Sequence, residues 1–285
     1  ALDSCTVEGY RFSTGWAKDQ RIYFRAQFSK PFDSIDQIAV KKYTDDGQEY
    51  STHYFRAGFH TAEGEQVMVK VAVSPVSEEK AALNMSAELP GWDFDATVES
   101  TRKAWNTELA KVKVTASDSE AEARTIFYTA LYHTMIMPSI FSDVDAPRTE
   151  YTTFSLWDTY RAEMPLMTII HPDRENDMVA SMLKIYQKQG RLPVWHLVGN
   201  ETDCMVGNPG VIAVADAVVK GFDGFDRDLA WEAMKTTVMD TIRGLNYRQK
   251  YGYIPSDKML ESVAYDMEYA IADAAVAAVA DCLGK

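Results

Sequence analysis

Alternating apolar and polar residues mark the first third of the chain as β structure. The segment QVMVKVAVS has valine at every second position from Val67 to Val73, and RIYFRAQF alternates likewise from Ile22 to Phe28. Such a period of two is typical of a strand with one buried face. Several short strands separated by turns favour an antiparallel sandwich. We therefore predict a β-sandwich domain over residues 1–76.

The pattern changes to that of helices after Ser77. The segment SEEKAALNMSAEL consists of good helix formers and stops at Pro90, and DATVESTRKAWNTEL continues with helical spacing of its apolar residues. Beyond residue 116 almost every segment is helical, with Gly190 as one of the stop signals. We predict a helical linker over 77–116. Over 117–285 we predict helices in series, as in an α/α toroid or a bundle.

Composition narrows the classes of partner. The chain has 285 residues, with 29 Lys and Arg against 42 Asp and Glu, for a net charge of −13. Nucleic acids and anionic membranes select clustered basic residues, so neither is expected as a partner. Three scattered cysteines form neither a disulfide framework nor a zinc motif. The first residues, ALDSCTVEGY, lack the layout of a signal peptide, and we expect no membrane-spanning segment.

Three stretches combine aromatic rings with polar groups. The first is SLWDTYR at 155–161, the second is LPVWHLVGNETDCMVGNPG at 192–210, and the third is LESVAYDMEYAIAD at 260–273. An aromatic face covers the apolar C–H side of a pyranose, and a carboxylate accepts hydrogen bonds from neighbouring hydroxyls. These stretches make a carbohydrate site a candidate.

Structural roles explain the same residues. Asp158 and Arg161 stand three apart and can form an intrahelical ion pair, and Trp157 alone is more often a core aromatic. His196 is a lone histidine, for which a structural hydrogen bond is the more frequent role. The other acidic candidates can decorate a turn or pair with a neighbouring element: Glu201, Asp203 and Glu268. The sequence contains none of the GxSxG, HExxH, P-loop or GxGxxG motifs. Spacing alone assigns no catalytic group.

The segment YTTFSLWDTYRAEMPLMTIIHP resembles the signature of glycoside hydrolase family 92, the calcium-dependent exo-α-mannosidases. Four more segments resemble family segments in the family's order: YRFSTGWAKDQRIYFRAQFSKPF, VKVAVSPVSEEKAALNMSAELPGWDF, GRLPVWHLVGNETDCMVGNPG and ESVAYDMEYAIADAAVAAVADCLGK. The resemblance implies an N-terminal β-sandwich, a helical linker and an (α/α)6 toroid. Only part of the sandwich and the first part of the toroid are expected in this chain.

The resemblance also implies an activity. Family members remove terminal mannose, most often α-1,2-linked, from mannose-rich glycans such as N-glycans, with inversion and with a Ca²⁺ ion on the sugar. That substrate implies the periplasm or the cell exterior. The family's acid and base stretches, TEGN…WQY and DDxGxMS, do not occur here. We expect them, and the main calcium ligands, after Lys285. This chain alone is then expected to be inactive. Its partner would be the remainder of the same polypeptide. Any metal ligands within this chain are unknown.

The resemblance assigns substrate-binding roles residue by residue. Asp158 would accept from sugar hydroxyls, Trp157 would wall the pocket, and Arg161 would orient Asp158. A second loop, which contains Trp195, Glu201 and Asp203, would approach the same pocket. Glu268, an inward-facing acid, would support it. Two alternatives stay open, a mannose-binding module without catalysis and an α/α-toroid glycosidase for another α-glycoside. The gene sequence beyond Lys285 distinguishes them.

Overall fold

The chain divides into two units that each contain a short segment from elsewhere in the sequence. The computed structural model describes residues 1–45 and 47–285. The first unit comprises Ala1–Phe12, Arg21–Thr97 and Asp143–Asp145. The second comprises Ser13–Gln20, Val98–Ser142 and Ala146–Lys285. The predicted boundaries at 76 and 116 stay predictions.

The first unit consists of strands and a helix. Its elements are β1 (Thr6–Ser13), β2 (Gln20–Phe28), β3 (Ser34–Asp45), β4 (Gln48–Gly58), β5 (Val69–Ser74) and α1 (Glu78–Glu88). One sheet has the order β1-β2-β5, and β3 pairs with β4 as a separate antiparallel ribbon. The predicted β character of this region is confirmed, whereas the sandwich arrangement stays a prediction.

The valines of β5 lie on its exposed face. Val69, Val71 and Val73 are each more than half exposed. Because α1 packs against β5 and the Lys70 ammonium donates to the Leu89 carbonyl just beyond that helix at 2.8 Å, the less apolar face is the covered one. The alternation correctly predicted a strand. An amphipathic pattern does not determine, however, which face of the strand packs against another element.

Helix boundaries follow local chemistry. Ser77 is the N-cap of α1, where its hydroxyl accepts from the backbone N–H of Lys80 at 3.2 Å, and this helix stops before Pro90, as predicted. Next comes α2 (Phe94–Leu109), which begins in the first unit and lies mostly in the second.

The second unit is mainly helical. A 3₁₀ turn (Asp118–Glu120) leads to α3 (Ala121–His133), and the later helices are α4 (Leu156–Thr159), α5 (Glu163–Ile170), α6 (Pro172–Gln189), α7 (Pro209–Val219), α8 (Arg227–Val238), α9 (Leu245–Tyr251) and α10 (Ser262–Leu283). The short strands are β6 (Ser139–Ile140), β7 (Tyr151–Thr152), β8 (Phe154–Ser155), β9 (Trp195–Leu197) and β10 (Asn200–Glu201). The mixed β and α class is confirmed, and the toroid stays a prediction.

The core of this unit surrounds α7. Its sequence PGVIAVADAVV is apolar nearly all round, as expected for a buried helix. It packs against α10, α8 and α6, and the small residues Ala213, Ala217 and Ala272 are almost fully buried there. Gly190 ends α6 with φ +84°, which confirms the predicted stop. Among the described residues, no helix combines the length and the apolar character needed to cross a bilayer.

Candidate functional site

The structure brings the three polar and aromatic stretches together in the second unit. Strands β8, β9 and β10 form one sheet in the order β10-β9-β8, with Ser155 opposite Trp195. Helix α4 begins directly after β8, and its end contacts Glu268 of α10 through hydrogen bonds. Segments more than 100 residues apart in sequence therefore meet around α4.

Glu268 fixes the end of α4. Its side chain is nearly buried, and it accepts from the Tyr160 hydroxyl at 2.7 Å and pairs with the Arg161 guanidinium. Burial, and then the adjacent Glu268 carboxylate, raise the pKa of Tyr160 to about 12, so the phenol stays a donor. The Arg161 guanidinium also lies 4.6 Å from the centre of the Tyr160 ring and 5.7 Å from that of Trp157.

Asp158 presents its carboxylate to solvent. It accepts from the hydroxyl of Ser155, one turn earlier, while Arg161 pairs with Glu268. The alternative of an Asp158–Arg161 ion pair within one helix is therefore not the arrangement in the part of the chain that the structure describes. Trp157, the next residue back, is half-buried, and its indole N–H is enclosed without a hydrogen-bond acceptor among the described residues.

Glu201 accepts hydrogen bonds from the backbone of the second stretch. Its carboxylate accepts from four backbone N–H groups, at 2.8 to 3.0 Å: those of Val194, Trp195, Thr202 and Asp203. A carboxylate that accepts several backbone hydrogen bonds holds a turn in one conformation. Glu201 therefore fixes the β9–β10 hairpin that carries Trp195.

Asp203 is held by two arginines. Its φ of +53° is in the left-handed region, and its carboxylate pairs with the guanidinium groups of Arg191 and Arg243. Burial opposes ionisation of Asp203, but hydrogen bonds and charge from the two arginines outweigh it and lower its pKa. Arg243 also donates to the carbonyl of Gly207 at 3.3 Å, so this network fixes the loop that follows Asp203.

Trp195 packs against a residue from far upstream. The rings of Trp195 and Trp16 lie 4.5 Å apart at 37°. The segment Ser13–Gln20 is further fixed where the Asn200 amide donates to the Asp19 carbonyl at 2.8 Å and accepts from the Asp19 N–H at 3.0 Å. Two tryptophans therefore form one aromatic surface beside β8 and β9.

His196 and Glu163 are two further titratable groups of this region. Burial lowers the pKa of His196 to about 4, so its imidazole is neutral at physiological pH, in keeping with a structural role. Glu163, the first residue of α5, is partly buried, and its Oε1 has no hydrogen-bond donor among the described residues. Burial, and then the Asp158 carboxylate, raise the pKa of Glu163 to about 7.

The described acidic residues do not fit a calcium site. Within residues 1–45 and 47–285 no group of three or more His, Cys, Asp or Glu side chains could hold a metal ion. Three of the carboxylates gathered here, those of Glu201, Asp203 and Glu268, are already bound by backbone N–H groups, arginines or a tyrosine. A Ca²⁺ ion takes six to eight oxygen ligands, so no ligand role is assigned to these residues.

Family models match both parts of the chain. Residues 2–74 match the glycosyl hydrolase family 92 N-terminal domain, and residues 80–285 match the glycosyl hydrolase family 92 catalytic domain. The chain belongs to glycoside hydrolase family 92. This membership confirms the family resemblance predicted from the SLWDTYR stretch and its companions.

Solved family 92 structures share this fold. The α-mannosidase BT3965 from Bacteroides thetaiotaomicron is 35% identical, with a TM-score of 0.87 over 100% of this chain and 41% of that one. It has also been solved in complex with mannoimidazole. The inverting mannosidase BT2199 from Bacteroides thetaiotaomicron is 28% identical, with a TM-score of 0.83 over 99% of this chain and 42% of that one.

A curated relative is described as secreted. An uncharacterized secreted glycosidase from Arthroderma benhamiae is 25% identical over an alignment of 264 positions, which covers 84% of this chain and 32% of that protein. The chain thus spans about a third of the curated relative and about two fifths of the solved structures.

Sequence reasoning missed several residues of this candidate site. Trp16 lies between two alternating strands, and no local pattern connects it with Trp195, 179 positions later. Arg243 and Gly207 gave no signal either. Glu163 lies within the family signature, yet no role was predicted for it, because its burial depends on packing that the sequence does not display.

Proposed function

We propose that the protein containing this chain is an exo-acting α-mannosidase that removes terminal mannose, most often α-1,2-linked, from mannose-rich glycans. It acts with inversion and depends on Ca²⁺, in the periplasm or outside the cell. The observation that carries the proposal is the position of the Trp157–Asp158 pair, where three segments meet in a chain 35% identical to a family 92 α-mannosidase. The complex of that relative with mannoimidazole supports a mannose-like ligand.

The terminal mannose rests on the start of α4. The Asp158 carboxylate, which is exposed, accepts from two neighbouring sugar hydroxyls, and the Trp157 ring covers the apolar face of the sugar. Arg161 supports this surface from below, because Glu268 holds its guanidinium against the rings of Trp157 and Tyr160.

The second stretch shapes the opposite wall. Trp195, together with Trp16, offers a second aromatic surface for the glycan. Glu201 and Asp203, predicted to bind substrate, direct their oxygens to backbone N–H groups and to two arginines. We propose that they act on the glycan by holding this wall in place.

Inversion requires a general acid and a general base whose carboxyl groups lie roughly 6.5–9.5 Å apart, so that a water molecule fits between base and sugar. We assign neither role to a residue of this chain. Calcium, when bound, would contact vicinal sugar hydroxyls, and its ligands are likewise not assigned to the described residues. The role of this chain is to bind and orient the terminal sugar.

Replacing Asp158 tests the proposal. Asp158→Ala in the full-length gene product should lower kcat/KM for α-1,2-mannobiose by about 150-fold, since each of the two hydrogen bonds to this charged acceptor contributes roughly 1.5 kcal/mol. Asp228→Ala is the matched control, because that carboxylate is exposed and its surface pair with Lys285, at 3.0 Å, is worth little. Mannose release is measured for each, with the wild type also assayed in EDTA.

The outcomes separate the candidate functions. Release that depends on calcium and falls only in Asp158→Ala supports the proposal. Unchanged turnover in Asp158→Ala would return this residue to a structural role. Mannose binding without hydrolysis of any mannoside would make the protein a binding module, and turnover of another α-glycoside alone would change the substrate class.

A further inference from the structure

Glu163 differs from the other carboxyl groups of the site in its hydrogen bonding. Each of the others has a donor: Ser155 for Asp158, backbone N–H groups for Glu201, arginines for Asp203, and Tyr160 with Arg161 for Glu268. Glu163 has an enclosed Oε1 without a donor in the part of the chain that the structure describes. Buried polar groups in native proteins are nearly always satisfied, so an exception requires an explanation.

A second unsatisfied group lies in the same short segment. The indole N–H of Trp157 is enclosed without an acceptor among the described residues. Trp157 precedes Asp158 in α4, and Glu163 begins α5 close enough to Asp158 for that carboxylate to act on its pKa. A hydroxyl group can accept from one and donate to the other.

We infer that Glu163 is a substrate-binding residue, whose carboxyl group joins the indole N–H of Trp157 in binding a hydroxyl of the sugar held at Asp158. The inference rests on the proposed function and specifies how the terminal sugar is held. It gives both orphan groups a partner in the complex, while the free protein bears the cost of leaving them unsatisfied.

The charge state of Glu163 suits this role. Below pH 7 its carboxyl group is largely protonated, so Asp158 is the single negative charge of this pair. Above pH 7 a second carboxylate forms beside Asp158 in a partly buried place. Water drawn in to hydrate that charge competes with the sugar hydroxyl, so substrate affinity should fall as the pH rises through 7.

Two variants and one control test the inference. Glu163→Met should raise KM for α-1,2-mannobiose about tenfold, the value of one hydrogen bond, yet it should raise Tm because it removes an unsatisfied buried carboxyl group. Glu163→Gln should keep KM within about threefold of the wild-type value at pH 6 and abolish its rise above pH 7. Glu175→Met is the matched control, since Glu175 also carries an enclosed, unpartnered oxygen and a pKa raised to about 7. That control should raise Tm and leave KM unchanged.

The failures are distinguishable. If wild-type protein turns over the mannoside and Glu163→Met raises Tm with an unchanged KM, the carboxyl group is a purely structural orphan and the inference is wrong. The inference is equally wrong if Glu163→Gln keeps the alkaline rise of KM. If wild-type protein hydrolyses no α-mannoside, the proposed function fails, and this inference fails with it.

Discussion

Gly207→Ala should lower the free energy of unfolding by about 3 kcal/mol, from left-handed strain of about 1 kcal/mol and overpacking of about 2 kcal/mol. Gly207 has φ +79°, and a Cβ built there lies 2.4 Å from Cβ of Glu268, well inside any real contact. Relief requires either the loop or α10 to move, and both movements disturb the carboxylate that holds Tyr160 and Arg161. Urea unfolding measures the loss, and KM for the mannoside should rise with it.

Gly190→Ala is the control for the backbone part of that effect. Gly190 has φ +84°, yet nothing lies within 4 Å of its Cβ position. The variant should therefore lose only about 1 kcal/mol, for the left-handed conformation, and keep its KM. Equal losses in the two variants would show that contact with Glu268 is unimportant.

Glu175→Met should raise the free energy of unfolding at pH 8 by about 3 kcal/mol, the equivalent of a pKa raised from 4.5 to about 7. Glu175 is 1% exposed in α6. Burial, and then the Asp216 carboxylate, raise its pKa, while Lys220 opposes the shift. Lys220 is itself engaged by Asp216 at 2.6 Å and by the Thr168 hydroxyl at 2.8 Å.

The pH dependence gives the sign of this effect. Between pH 4.5 and 7 the folded chain keeps the Glu175 proton while the unfolded chain releases it, so this residue makes the wild type less stable as the pH rises. Glu175→Gln cannot ionise and should lack that decline, although it keeps a buried polar group. Urea unfolding from pH 4.5 to 8 follows both chains. Parallel curves for wild type and Glu175→Gln would disprove the assignment.

Local signals predicted the elements well and their contacts poorly. Period-two alternation located β2 and β5, and Ser77, Pro90 and Gly190 marked helix ends where the structure has them. These signals act within a few residues of the backbone. They could not predict that the valine face of β5 is exposed, because burial depends on which neighbour covers a strand.

The site shows the same division. Aromatic and acidic composition selected the three stretches that meet around α4, since binding groups of one site tend to share a chemistry. The partner of Arg161 could not be derived, because Glu268 lies 107 positions away and Asp158 only three. For Glu163 the key fact is that its Oε1 has no hydrogen-bond donor among the residues that the structure describes, which only coordinates can reveal.

The two interleaved segments limit how this protein can be recombined. A chimera joined near residue 75 would follow the boundary between the two family models, yet it would pair a foreign Trp16 loop with the native Trp195 hairpin. It would equally pair a foreign Ser74 with the native Asp143, which accepts from that hydroxyl at 3.0 Å. Exchanges between relatives should therefore move residues 13–20 with the helical part and residues 143–145 with the strands, so that each graft keeps its own contact partners.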